Sequence, residues 1–404
     1  MPEQNGPASG LVINNARLFD GLEVRDGFFS VGITGKTIDS VTTSAAQAKK
    51  AIDAAGRFLM PGLIDCHMHL IDFFHVTDET TMAAYLEQDL PEHLMGLVSA
   101  GVTSIKSVCD PEDHILQTRD RLANGNLRGP RLFVTGPCFT APDSHPATTV
   151  YGQNPWCRQR AVVETDSPAE AREVVQRLAE RRVDAIKIVH HGGCRGHGTP
   201  YYLTIKEFNW HAQMFKLPHA VLEAIIDEAH KHGLKATVHT FDEDAVISVL
   251  EAGADGLEHG VVNQRLSNGR VIELLQKNHA TYVPTLWVLG SELTYANLKE
   301  VADAGVRVAL GTDSFCGYGE FGGNTIVEAE RAAQAGVAPV RVLRMATKDA
   351  AEHLGADRLG MIAPGRFADL LLVDGDPTVN ISALRNVSLV MKNGEILIDK
   401  LGKN

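Results

Sequence analysis

Met60-Pro61-Gly62-Leu63-Ile64-Asp65-Cys66-His67-Met68-His69 runs from an apolar stretch into a His-x-His pair. Residues two apart on a strand point the same way, so a strand ending here aims both imidazoles at one point. That makes a chelating pair at the carboxyl end of a strand, where barrel enzymes keep their chemistry. Alone the pair is a weak signal, because His-x-His also arises by chance. It gains weight from Lys187, His239, His259 and Asp313, each of which stands in or closes a later apolar run. Cys66 falls on the opposite face of the strand and is not expected to bind metal.

From about Pro61 to Gly355 the pattern is strand, loop, helix, repeated. The candidate strands are Leu63 to Cys66, Val102 to Val108, Arg131 to Thr135, Ala185 to Val189, Ala236 to Val238, Gly256 to Leu257, Thr281 to Val283 and Val306 to Leu310. Between them, Ser167 caps a helix from Pro168 to Arg181, with Glu170 in the capping-box position. Another helix runs from Ala220 to His232 and stops at Gly233. Repetition of this unit predicts the α/β class, as a (β/α)8 TIM barrel over residues 61–359.

Outside the barrel the rhythm is that of antiparallel strands: Leu11 to Asn14, Phe28 to Ile33 and Thr37 to Val41 at one end, Ala368 to Val373 and Val387 to Lys392 at the other. Asn393-Gly394 then turns the chain into Glu395 to Ile398 as a hairpin. Residues 1–60 and 360–404 are expected to form one composite β-sandwich domain from both termini.

The 404 residues carry a formal charge of −12, which argues against nucleic acid or an anionic membrane surface as partner and for a small-molecule substrate. No stretch approaches the ~18 apolar residues of a membrane span, and Met1 to Gly10 lacks a secretory layout, so a cytoplasmic protein is expected. The six cysteines contain no CxxC pair, and neither a zinc knuckle nor a disulfide framework is expected.

Lys187 lies within Asp184-Ala185-Ile186-Lys187-Ile188-Val189, a strand that should be buried on both faces. A charge there is costly unless it is paired or chemically altered. One reading is an internal salt bridge. The other is reaction with carbon dioxide to an N6-carboxylated lysine, whose two anionic oxygens would bridge two divalent cations. His239 and His259 close consecutive strands. Asp313, in Gly311-Thr312-Asp313-Ser314, ends the eighth strand, where Gly311 lets the backbone crowd the axis.

Pro61 to His69, Gly256-Leu257-Glu258-His259-Gly260, Gly311 to Ser314 and Pro364-Gly365-Arg366-Phe367-Ala368-Asp369-Leu370 together resemble the amidohydrolase superfamily. The Lys187 segment, followed by Gly192-Gly193, looks like its prolidase-type branch, which holds peptide and N-acyl amino acid hydrolases, ochratoxinase-like enzymes among them. That branch usually has small residues before the Gly-Gly pair; here His190 and His191 stand instead. The resemblance implies that His67, His69 and Asp313 hold one metal, that His239 and His259 hold the other, and that carboxylated Lys187 bridges both. Imidazole and carboxylate ligands in an open site suit Zn2+, with Mn2+ or Co2+ as alternatives.

A hydroxide held between the metals would attack a carbonyl, with Asp313 moving its proton to the leaving amine. His145 occupies the position where prolidase-like relatives keep a histidine, and is a candidate catalytic and substrate-binding residue. His190 is a candidate for the same roles, and His191 for substrate binding. The loop Gly192 to Pro218 carries Arg195, Tyr201, Tyr202, Phe208, Trp210 and Phe215. Loops this long at a barrel mouth tend to be pocket walls, so Arg195, Tyr201 and Tyr202 are expected to contact substrate. The expected enzyme is a metal-dependent hydrolase of an amide-type C–N bond in an N-acyl amino acid, dipeptide or similar carboxamide, with a bulky or aromatic group. It is expected to be a homo-oligomer. Alternatives are an imidazolonepropionase-like or deaminase-type ring hydrolase, for which Asp242 and Glu243 follow His239; a carbamate, ester or lactone hydrolase; and a non-enzymatic scaffold.

Overall fold

A computed structural model describes residues 10–192, 208–209, 212–267 and 269–402. Strands from both ends of the chain share one eight-stranded sheet. The piece that joins them is Phe58–Pro61, which pairs in parallel with Leu11–Phe19 on one side and antiparallel with Leu370–Val373 on the other. It has only four residues, all buried, so it shows none of the alternation that marks a half-exposed strand. Val387–Lys392 and Glu395–Asp399 complete that edge through the expected hairpin, whose turn residues Asn393 and Gly394 have φ of 51° and 76°. Both positive values suit a two-residue turn that follows strand twist.

From Pro61 the chain passes directly into Leu63–Met68, the first of the parallel strands. This strand pairs with Val102–Ser107, which pairs with Arg131–Val134. A second parallel sheet orders Val162–Glu164, Cys138–Thr140, Ala185–Val189, Lys235–His239, Gly256–Glu258 and Thr281–Val283. The stretch 131–140 thus contributes one strand to each sheet. Helices flank these strands, which is why Leu63–Met68, Val102–Ser107 and Ala185–Val189 are buried along their whole length.

The expected eighth strand is not regular. Val308 and Ser314 make isolated parallel bridges to Tyr282 and Met68, and Cys66 N–H donates to Leu310 O at 2.8 Å. Beyond Leu310, Thr312 N–H is shared between His67 O and the Asp65 carboxylate (3.1 Å each), and the Thr312 hydroxyl also donates to Asp65 at 2.9 Å. The helix Pro168–Glu180 begins at Ser167 as expected, with its hydroxyl accepting from Glu170 N–H. The reciprocal half of the capping box is absent: Glu170 instead accepts from Thr165. Among the described residues no helix is long and apolar enough to cross a membrane.

Candidate metal centre

Alternation along Leu63–Met68 sends Asp65 and His67 to one side and Cys66 to the other. Cys66 packs with Ile64, Val283, Ala309 and Ala350, away from the histidines. His67 and His69 both reach a cavity which Lys187, His239, His259 and Asp313 also line. All six residues singled out in the sequence therefore meet in one space. Asp313 Oδ1 lies 3.2 Å from His67 Nε2 and 3.0 Å from His69 Nε2. Gly311 lets this happen: a Cβ there would stand 2.6 Å from Val283 Cγ1 and 3.0 Å from His67 Cβ.

Two sets of side chains have ligand atoms mutually within 4.8 Å: His67, His259 and Asp313, and His145, His191 and His239. His259 thus groups with the first set, although its ring centroid is also only 4.5 Å from that of His239. His259, Asp313, Thr285 and Cys109 all have φ between 50° and 70°. Left-handed backbone is strained for such residues and tends to gather where a site holds it in place.

Each of four histidines is tied at one ring nitrogen. His67 Nδ1 donates to Glu258 at 2.6 Å, and His259 Nδ1 pairs with Thr285 Oγ1 at 2.7 Å. His145 Nδ1 pairs with Thr149 Oγ1 at 2.6 Å, and His239 Nε2 stands 3.1 Å from His191 Nδ1. Such anchors fix ring orientation and tautomer, which is what a ligating histidine needs. Burial, followed by the neighbouring histidines, holds His239 well below the ordinary histidine range, and burial does the same for His145 and His259. They are neutral, with lone pairs available. Burial alone would push Asp313 upward; His67 and His69 outweigh it and hold the carboxyl well below the usual range.

The structure does not bring every expected residue to the cavity. His190 follows Val189, which lines the cavity, and strand alternation turns it toward Lys216 and Asp242; burial lowers it to about 4. His191 is buried against His239 and Phe241 without lining the cavity. His145 does line it. Arg195, Tyr201, Tyr202 and Trp210 lie outside the described residues. Phe208, from the same loop, reaches the cavity and stacks on Phe73 and Phe74 with centroids 6.2 and 5.7 Å apart. With Phe315 and Tyr151, these rings give the cavity an aromatic wall.

Sequence reading passed over Glu258 and Lys106. Glu258 Oε1 accepts from Lys106 Nζ at 2.8 Å and from the Thr237 hydroxyl, and Lys106 also reaches His353 Nε2 at 2.8 Å. Burial would raise the Glu258 carboxyl, but Lys106 and His67 hold it well below its ordinary value. The signal was available: Lys106 ends Val102-Thr103-Ser104-Ile105, the same buried-lysine pattern that drew notice at Lys187. The two lysines differ in one respect. Lys106 is paired, whereas Lys187 Nζ is buried with no hydrogen-bond partner among the described residues.

The donor set fits divalent cations. It offers neutral imidazoles, an ionised carboxylate, and unpartnered buried nitrogens at His69 Nδ1 and Lys187 Nζ.

The amidohydrolase family matches residues 58–397, and the chain belongs to that family. Ochratoxinase of Aspergillus niger is 25% identical over 388 aligned residues, covering 84% of this chain and 75% of the relative. Among solved structures, a Xaa-Pro dipeptidase with bound methionine superposes with a TM-score of 0.78 at 22% identity, over 96% of this chain and 99% of that one. Molinate hydrolase superposes with a TM-score of 0.80 at 21% identity, over 98% and 96%. The fold is accordingly that of a TIM-barrel hydrolase with an added β domain. The chain is a hydrolase acting on C–N bonds, in the prolidase- and ochratoxinase-like branch.

Proposed function

We propose that this chain hydrolyses the amide bond of an N-acyl amino acid, dipeptide or similar carboxamide bearing a bulky or aromatic group, using two divalent cations. The observation that carries this reading is the contrast between two buried strand lysines. Lys106 has its carboxylate, while Lys187 faces the ligand cavity with no partner. An unpaired ammonium there would be expensive, so the internal salt bridge is disfavoured and a carboxylated Lys187 favoured. His67, His69, His239, His259, Asp313 and carboxylated Lys187 would hold the metals, with Zn2+ suited to this ligand set. When bound, such a pair supplies Lewis acidity that acidifies water and polarises a carbonyl.

The chain's own residues do the rest. Asp313, kept ionised by its histidines, takes a proton from the attacking water and returns it to the leaving nitrogen. His145, neutral, accepts the Thr149 hydroxyl at Nδ1 and so presents its Nε2–H to the substrate carbonyl oxygen. Phe73, Phe208 and Phe315 exclude water and favour an aromatic or branched group. The segment 306–314, through its bridges to both neighbours, closes the barrel in this reading, with residues 1–60 and 360–404 as the companion domain.

A deaminase-type reaction is less well supported. Asp242 caps its own helix at Ala245 N–H and pairs with Lys216, both through Oδ1, Glu243 bonds Gln264 and Ser267, and neither acid lines the cavity. The test is a screen of zinc-loaded protein against N-acyl amino acids and dipeptides, with Lys187→Ala and chelator controls. Turnover should fall by more than ~10³-fold in the variant, in line with loss of metal catalysis. A variant retaining both metals and full rate would overturn the proposal.

A further inference from the structure

The anchors of the cavity histidines are a carboxylate for His67 and hydroxyls for His259 and His145, but another imidazole for His239. Strand pairing explains how this comes about. Val189 is in register with His239, and His190 N–H donates to His239 O at 3.0 Å. The chain therefore runs alongside His239, and the next residue, His191, lays its ring beside that of His239 with centroids 5.2 Å apart and planes inclined by 29°. Phe241 packs on both rings, at 4.5 Å from His191 and 4.8 Å from His239. His191 is 3% exposed and stands outside the cavity wall. It is therefore poorly placed to meet substrate.

We propose that His191 is a positioning residue for His239: its Nδ1 accepts the Nε2–H of His239, leaving Nδ1 of His239 as the nitrogen offered to a cation. This rests on the two-metal reading above. With Nε2 engaged at 3.1 Å, His239 has one ring nitrogen left to ligate. Loss of an anchoring partner of this kind typically weakens metal binding by about 10–100-fold without abolishing it. The rival arrangement has His191 itself ligating beside His145 and His239, whose ligand atoms lie within 4.8 Å of its own.

Zinc titration against a chromophoric chelator separates these cases in wild type, His239→Ala, His191→Ala and His191→Asn. Wild type should take up two equivalents, and His239→Ala should lose one. His191→Ala should keep both, with one weakened about 10–100-fold, and His191→Asn, whose amide still accepts a hydrogen bond, should recover most of the loss. Melting of the metal-free variants at the wild-type temperature separates metal affinity from folding. Wild-type affinity in His191→Ala overturns the proposal. So does complete loss of an equivalent without rescue by Asn, which would make His191 a ligand. Fewer than two equivalents in wild type sinks the two-metal reading itself, before any variant is compared, and this proposal with it.

Discussion

Lys106 and Lys187 are both buried, yet taking away the partner of the one and the amine of the other should have opposite consequences. Glu258→Ala would strand the Lys106 ammonium in a site where both partners are at most 2% exposed. Removing one member of such a pair typically costs about 3–5 kcal/mol. Lys187→Met removes an amine that has no partner to lose, so the metal-free protein should unfold at the same urea concentration as wild type or higher. Metal uptake should fall in both variants, because Glu258 orients His67 and Lys187 is a ligand in the proposed reading. Urea unfolding of the metal-free forms checks the contrast; equal destabilisation by the two substitutions would remove the distinction between a paired and an unpaired lysine. The candidate ligands were legible because each sits in or just beyond a run of apolar neighbours, where a polar side chain demands an explanation. Glu258 was less legible, since it adjoins His259 and alternation alone would put the two on opposite faces. The positive φ of His259, 70°, breaks that alternation and lets both serve the same centre.

Among the elements, regular strands were read well and irregular ones poorly. Ala185–Val189 and Thr281–Val283 have the expected limits because flanking helices bury both faces, so each appears as a continuous apolar run. Val306 to Leu310 was read as a strand from similar composition, but Val308 makes only an isolated bridge to Tyr282, and Leu310 N–H donates to Met345 O at 3.0 Å. Gly311→Ala tests how tightly this segment is held. The added methyl would overlap the Val283 side chain and press on His67, so both stability and metal uptake should drop, by about 1–3 kcal/mol for the overpacking alone. An unchanged melting temperature and full metal content would show that the segment yields freely. A different pressure acts on the helix Gly323–Gln334, where Glu328 is fully buried. One carboxylate oxygen accepts from Trp287 N–H and the other has no partner. Burial pushes this carboxyl up to about 8 from an ordinary 4.5. Between those values the folded chain holds a proton that the unfolded chain releases, so the contribution of Glu328 falls as pH rises through the window. Glu328→Gln keeps the shape and cannot ionise. Its stability relative to wild type should therefore grow from pH 5 to pH 8 in urea unfolding, and parallel profiles would contradict the shift.

At the scale of the whole molecule, the two ends of the chain are structurally one. The strand Leu370–Val373 is hydrogen-bonded on one side to Phe58–Pro61, which runs straight into Leu63–Met68 with its His67, and on the other to Val387–Lys392. Gly62 N–H, between the two N-terminal strands, donates to Asp369 O at 2.9 Å. The position of His67 thus depends on residues some 300 further along the chain. Leu370, Leu371, Leu372, Leu389, Val390 and Met391 are all fully buried. Ending the chain at residue 386 would remove the last two strands, expose that apolar face, and leave Leu370–Val373 as an open edge. At roughly 25 cal/mol per Å2 of apolar surface, losing even a few such side chains outweighs the ~5–15 kcal/mol by which domains of this kind are stable. The truncated chain should accumulate as insoluble protein or as a state that binds hydrophobic dyes, and should take up no zinc. Recovery of soluble truncated protein that melts cooperatively near the wild-type temperature would show instead that the barrel holds its first strand without the terminal sheet, and that the metal centre is independent of it.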